Sequence, residues 1–219
     1  MGYFITFEGI EGCGKTTQIK LLGEHLESLG YSVVLTREPG GCSIADKIRS
    51  ILLDADNKGM CPLTELFLYA AARAQHVTDV ILPALKTGSI VLCDRFTDAT
   101  IAYQSAGRGL DRNTVDTLNL LACRSLRPDL TVLIDCDAAI GLGRARSRIE
   151  SNAGPREERF ELEALEFHQL VRDGYRALVQ LEPQRFITVD GSGNIDDISA
   201  HIAGQVLQNR LRNNSYALL

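Results

Sequence analysis

A glycine-rich segment near the amino terminus combines the residue types that bind phosphate. Residues 9–16 read Gly-Ile-Glu-Gly-Cys-Gly-Lys-Thr and satisfy the pattern G-x-x-x-x-G-K-[ST]. In such a loop, successive backbone N–H groups converge on a phosphate at the positive end of the following helix. We expect Lys15 to reach the outer phosphates and the Thr16 hydroxyl to bind Mg²⁺. The alternative is a glycine turn that merely connects a strand to a helix.

The expected nucleotide-binding loop extends one residue further, to Thr17. Its members are Gly9, Ile10, Glu11, Gly12, Cys13, Gly14, Lys15, Thr16 and Thr17. The sequence has no Asn/Thr-Lys-x-Asp segment of the kind that reads guanine, so a GTPase is disfavoured.

The charge of the chain argues against a nucleic-acid polymer as the partner. The 219 residues carry 23 basic and 28 acidic side chains, a net charge of −5. Of the basic residues, 18 are arginine and 5 are lysine. Arginine suits forked contacts with a few phosphate oxygens, which favours a small phosphorylated ligand.

Composition also limits the location of the protein. No apolar stretch approaches the roughly 18 residues needed to span a membrane, so we expect no membrane association. The six cysteines form no C-x-x-C pair, and the first residues do not resemble a signal peptide. We therefore expect a reducing, cytoplasmic environment.

Hydrophobic patterning predicts the elements that must position the loop. Five short apolar runs rich in β-branched residues alternate with longer, helix-patterned segments. This alternation is typical of an α/β protein with a parallel sheet buried on both faces, here as one domain over residues 1–219. The expected strands are 3–8, 31–36, 89–94, 130–136 and 185–190, and the clearest later helices are 63–86, 159–181 and 195–211.

One segment, residues 143–161, interrupts this pattern. It contains five arginines, four glutamates and a central Ser-Asn-Ala-Gly-Pro. We expect a surface excursion that can move, and we call it the lid segment.

Five motifs, taken in chain order, resemble bacterial thymidylate kinase. They lie at residues 7–18, 36–41, 67–73, 94–104 and 127–131. The resemblance implies a P-loop NTPase fold with a five-stranded parallel sheet and a mobile lid. It also implies transfer of the γ-phosphoryl group of ATP to dTMP, giving dTDP, with Mg²⁺ as cofactor and a homodimer as the assembly.

The resemblance assigns the phosphate-handling residues near the third strand. It makes Arg95 the arginine that holds the acceptor phosphate close to the γ-phosphate; the alternative is an ion pair with Asp94 or Asp98. Asp94 suits a Mg²⁺-bound water or the orientation of Lys15, as a Walker-B carboxylate would.

The resemblance also assigns a dTMP-binding set. Tyr69 would stack on thymine, and Arg73, four residues later on the same helix face, would bond the carbonyl edge. The alternative is a core aromatic beside a surface arginine. The remaining members are Thr100 and Gln104 at the ring, Tyr103 beside the sugar, Glu38 and Pro39 on the dTMP side, Arg49 on the 5′-phosphate, and Glu11 of the loop.

The loop carries Glu11-Gly12 and no basic residue before Lys15. In the family this variant takes its catalytic arginines from the lid, where Arg144, Arg146, Arg148, Arg156 and Arg159 are available. We expect the catalytic role among Arg144, Arg148, Arg156 and Arg159. The alternative is a solvated helix face on which arginines pair with neighbouring glutamates.

Two other functions remain open at this stage. One is a kinase for another nucleoside monophosphate or a deoxynucleoside on the same fold. The other is a non-enzymatic switch that binds ATP without transferring phosphate.

Overall fold

A single parallel sheet organises the protein. The computed structural model describes residues 2–150 and 159–216. The strand order is β2-β3-β1-β4-β5, and every pairing is parallel. The strands are β1 Tyr3–Glu8, β2 Val33–Arg37, β3 Ile90–Asp94, β4 Leu130–Asp135 and β5 Phe186–Asp190. The predicted α/β class and parallel sheet are confirmed.

Helices connect successive strands and cover both faces of the sheet. Two stretches, Val77–Ile81 and Ile101–Gly107, are π-helical. The α-helices are α1 Lys15–Ser28, α2 Ser43–Leu53, α3 Pro62–His76, α4 Leu82–Lys86, α5 Thr97–Thr100, α6 Arg112–Ala122, α7 Ala138–Glu150, α8 Leu165–Leu181 and α9 Ile195–Tyr216. Among the described residues, no helix has both the length and the apolar composition to span a bilayer.

The central strands alternate their side chains between two cores. On β1, Ile5 and Phe7 pack into the larger core with residues of α1, α8 and α9, whereas Phe4 packs into the smaller one. Burial on both faces holds for the inner strands but not for β2, an edge strand on which Leu35 is 50% exposed. The expectation of a fully buried sheet is therefore wrong at this edge and at the other edge strand, β5, because each has only one neighbouring strand and exposed residues.

Several predicted boundaries differ from the structure. The second strand begins at Val33 rather than at residue 31, and the final helix continues to Tyr216. The segment 63–86 is helical throughout, but the π-helical turn divides it. The helix expected over 159–181 begins only at Leu165, because residues 159–162 form turns and residue 163 forms a bend.

The lid segment is not wholly an irregular excursion. Residues 143–150 continue α7, so the arginines in this part project from a regular helix. Residues 151–158, which include Arg156, lie outside the described residues.

Candidate active site

A cavity of about 1170 Å³ lies where the strands end at their carboxyl edge. Most of the predicted site residues line it, from the phosphate-binding loop through the expected base-binding residues to two lid arginines. Of the predicted residues that the structure describes, three do not line the cavity: Gly9, Ile10 and Arg159. The structure thus gathers residues spread over more than half of the chain around one space.

The glycine-rich loop curls around the side chain of Lys15. The Lys15 ammonium donates to the carbonyl oxygens of Gly9 and Ile10, at 3.0 and 2.8 Å. Gly9 and Ile10 therefore hold the Lys15 side chain through their carbonyl oxygens but do not line the cavity themselves. Gly12 has a φ of +68°, and a Cβ there would overlap the carbonyl oxygen of Gly141 on α7. Because Gly12 has no side chain, α7 can pack directly against the loop.

Two oxygen-bearing side chains meet beside the loop. The Thr16 hydroxyl donates to Asp94 Oδ2 at 3.3 Å. Hydroxyl and carboxylate oxygens are ligands that Mg²⁺ accepts, so this pair fits the predicted metal site. Asp98, by contrast, is buried and paired with Arg185 at 2.6 Å. Among the described residues there is no group of three or more His, Cys, Asp or Glu that could hold a metal.

Arg95 occupies a strained position directly after β3. Its φ is +69°, which is unusual for a residue other than glycine and typical of functional sites. Its guanidinium donates to the Gly9 carbonyl at 2.8 Å, the Tyr175 hydroxyl at 3.0 Å and Glu11 Oε1 at 3.0 Å. The described contacts pair Arg95 with Glu11 of the loop, not with either of the aspartates considered from the sequence.

The Glu11 carboxylate is the hub of this cluster. The Tyr103 hydroxyl donates to Oε1 at 2.5 Å, and His168 Nδ1 lies 3.2 Å from Oε2. Burial by itself would raise the pKa of Glu11, but Arg95, His168 and Lys15 lower it to about 2. Glu11 is therefore ionised at neutral pH, and its carboxylate holds Arg95 beside the loop.

A second buried carboxylate, that of Glu8, is linked to Arg95 through the Tyr175 hydroxyl. Glu8, the last residue of β1, accepts hydrogen bonds from the Phe96 backbone N–H at 2.8 Å and from the Tyr175 hydroxyl at 2.7 Å. Burial and the nearby charge of Asp98 raise the pKa of Glu8 to about 8. Tyr175 thus bridges the strand end and Arg95.

Arg73 is buried, with only 2% of its surface exposed, so the alternative of a surface arginine is wrong. Its Nε donates to Glu38 Oε2 at 2.7 Å, its Nη1 to Thr100 at 2.9 Å and to Asn119 at 2.6 Å, and its Nη2 to the Phe96 carbonyl. Arg73 therefore fixes two other predicted dTMP-binding residues while lining the cavity itself.

The remaining predicted residues enclose the same end of the cavity. Arg49 donates to the Pro39 carbonyl at 3.0 Å, which keeps α2 next to the turn after β2. Tyr69 is partly buried, with its ring centroid 6.4 Å from that of Phe160. Gln104 is buried and donates to Glu65 Oε1 at 2.8 Å.

Comparison with known proteins agrees with this arrangement. Residues 7–202 match the sequence profile described as thymidylate kinase. The chain belongs to the thymidylate kinase family. It is 75% identical over the full length of both chains to a thymidylate kinase of Pelobacter propionicus. It is 62% identical to one of Geotalea uraniireducens, covering 94% of this chain and 97% of that protein.

A solved structure extends the agreement to the fold. The crystal structure of thymidylate kinase from Ehrlichia chaffeensis has a TM-score of 0.75 and 36% sequence identity, covering 94% of this chain and 98% of that one. The resemblance and the P-loop NTPase fold predicted from the motifs are confirmed. The predicted activity, ATP-dependent phosphorylation of dTMP to dTDP, is confirmed as well.

The described lid arginines of this chain take different positions. Arg144 donates to the Gly191 carbonyl at 2.9 Å, and both Arg144 and Arg148 line the cavity. Arg146 donates to the Glu161 carbonyl instead. Arg159 is buried and pairs with Glu65 Oε2 at 2.6 Å. Of these four, only Arg144 and Arg148 line the cavity that the phosphate-binding loop also lines.

Several residues that support the thymidylate kinase site were not identified from the sequence. Glu65, Asn119, His168 and Tyr175 stand outside the motif residues assigned to the site, and their partners are distant along the chain. An acid or histidine within a helix pattern gives no local signal of such a partner. Only the packing of the helices in three dimensions shows these partnerships.

Proposed function

We propose that this chain, which phosphorylates dTMP, works as a lid-arginine enzyme, with ATP at the loop end of the cavity and dTMP at the α3 end. The main support is the single cavity that joins the phosphate-binding loop, Arg95 and the Arg73–Glu38 pair. Positioned charge is the principal need of phosphoryl transfer. The acceptor is an ionised phosphate, so no general base is required.

At the donor end, the loop would hold the phosphates of ATP, with Lys15 on the outer ones. Thr16 and Asp94 would hold Mg²⁺, which would neutralise phosphate charge when bound. The segment after β5 supplies Gly191, Gly193, Ile195 and Ile198 to the cavity wall, a setting suited to adenine. Arg144 and Arg148 would approach the migrating phosphoryl group from α7.

At the acceptor end, Arg95 and Arg49 would hold the dTMP phosphate, and Tyr69 would stack on thymine. Arg73, Thr100 and Gln104 would read the base edge. Glu11 and Tyr103 would contact the sugar side, where a bulky ring limits room for a 2′-hydroxyl.

A coupled assay with dTMP, dUMP, dCMP, dGMP and AMP as acceptors tests this proposal. With ATP and Mg²⁺ we expect dTMP to have the highest kcat/KM. Preference for a different acceptor would contradict the assignment of the base-binding residues, even with the phosphate-binding loop intact.

We also propose a homodimer and a cytoplasmic location. The six cysteines form no disulfide, which suits a reducing compartment. The adjoining helices α2, α3 and α6 expose large apolar side chains, which favours burial against a second copy. These side chains are Ile44, Ile51, Leu63, Phe67, Leu120 and Leu121.

Replacing Phe67 by glutamate is expected to convert the dimer to a monomer at micromolar concentration. Phe67 is 52% exposed, so the change places a charge in the interface without disturbing the core. Light scattering after size-exclusion chromatography measures the mass. The control is Leu181→Glu, at an exposed apolar residue of α8, which should remain dimeric. A monomeric parent, or a dimeric Phe67→Glu variant, would rule out this interface.

A further inference from the structure

A buried carboxylate on α3 gathers three donors behind the expected base-binding residues. Glu65 is 1% exposed. Its Oε1 accepts from Gln104 Nε2 at 2.8 Å and from Arg108 Nε at 3.2 Å. Its Oε2 accepts from Arg159 Nη1 at 2.6 Å and from Arg108 Nη2 at 3.2 Å. The two guanidinium groups therefore balance the negative charge of the Glu65 carboxylate. A carboxylate can only accept hydrogen bonds.

This carboxylate determines which way the Gln104 amide faces. An amide has a donor side and an acceptor side, and only the NH₂ side can pair with a carboxylate. Gln104 lines the cavity from the π-helical turn 101–107. Within residues 2–150 and 159–216, no described hydrogen bond ends on its side-chain oxygen. Gln104 Oε1 is therefore the polar group left to meet a ligand.

Its neighbour on the cavity wall is fixed in a comparable way. The Thr100 hydroxyl accepts from Arg73 Nη1 at 2.9 Å, and both residues are buried. The Gln104 amide thus points in one fixed direction, beside a Thr100 hydroxyl that is also held in place. Reversing it would present a donor to the ligand in place of an acceptor.

We propose that Glu65 is a positioning residue for base selectivity, acting through Gln104. With Oε1 facing the cavity, Gln104 accepts from a pyrimidine whose N3 carries hydrogen, such as thymine or uracil. Cytosine presents a lone pair at N3, so its complex leaves two acceptors facing each other. A site built for a hydrogen bond rejects the partner that cannot form it. The inference rests on the proposed function, which places the base beside Gln104.

Glu65→Gln tests the proposal because the new amide can donate and allows Gln104 to turn over. We expect the ratio of kcat/KM for dTMP to that for dCMP to fall at least about tenfold. The KM for dTMP should account for more of the change than kcat. The ratio of dTMP to dUMP should remain at the parent value, because these bases share N3–H.

Three further variants separate orientation from loss of structure. Glu65→Asp keeps the charge for both arginines but withdraws the carboxylate from Gln104, so the dTMP to dCMP ratio should again fall. Arg108→Ala removes a partner of Glu65 but keeps the contact with Gln104, so it should retain the parent ratio. In Gln104→Leu the ratio should fall, and adding Glu65→Gln should lower it no further.

Melting temperatures identify any variant that fails to fold, and Glu65→Asp then carries the test. Equal losses for dTMP and dCMP in both Glu65 variants would mean a purely structural role and overturn the proposal. A parent enzyme without preference for dTMP would instead overturn the proposed function.

Discussion

Replacing Arg95 by alanine is expected to lower kcat/KM for dTMP about a thousandfold, while the KM for ATP changes only a few fold. The guanidinium lines the cavity and donates to the Gly9 carbonyl and to Glu11, where the proposed ATP and dTMP ends would meet. Its strained backbone and its bond to Tyr175 fix its direction before any ligand arrives. Its loss should therefore affect alignment of the acceptor phosphate rather than binding of ATP. Initial rates with each substrate varied separately measure the two effects.

Three comparisons sharpen this test. Arg95→Lys keeps the charge but loses the fork, so it should recover only part of the loss. Arg176→Ala removes an arginine that pairs with Asp135 outside the cavity wall, and it should retain parent kinetics. Added guanidinium should restore part of the rate of Arg95→Ala if the protein is folded. A folded Arg95→Ala enzyme within tenfold of the parent would refute this role.

The local parts of the site were predictable from the sequence, and the distant partnerships were not. The loop 9–16 carries its chemistry in consecutive residues, so its pattern identifies it directly. Arg95 and Glu11 were each recognised from a motif, but their contact joins positions 84 residues apart. That contact depends on β1 and β3 being neighbours in the sheet, a fact that strand patterning alone does not contain.

The same limit explains the errors in secondary structure. Periodicity located all five strands, because burial imposes a strong apolar pattern on them. The π-helical turns left no comparable signal, since one extra residue per turn barely changes that pattern. The turns and bend at 159–163 were interpreted as helix. Arg159 and Phe160 are instead drawn inward by contacts with residues far along the chain, which the local pattern does not show.

The ranking of the lid arginines arises from such packing. Gly141 on α7 lies against the backbone of Glu11, where a Cβ would meet the Glu11 carbonyl oxygen. Arg144 and Arg148 follow three and seven residues later, so they share the helix face that packs on the loop. Arg146 falls on the opposite face. The contact between Gly141 and the loop therefore favours Arg144 and Arg148 over Arg146 as the lid donors, a choice that spacing in the sequence left open.

Removing both Arg144 and Arg148 is therefore expected to lower kcat by about two to three orders of magnitude, with a smaller effect on either KM. These side chains line the same cavity as the phosphate-binding loop, where their positive charge would stabilise the migrating phosphoryl group. Each single alanine variant should lose less than the double one. Single-turnover rates, measured with enzyme in excess, separate chemistry from product release.

The matched control lies on the same helix. Arg146→Ala removes an exposed guanidinium that bonds only the Glu161 carbonyl among its described contacts, and it should keep kcat within about twofold of the parent. Arg159→Ala should instead lower the melting temperature, because its buried guanidinium pairs with Glu65. Arg156→Ala completes the series of predicted donors. A large loss in Arg146→Ala, together with parent rates in the Arg144 and Arg148 double variant, would place the catalytic charge on a different face of α7.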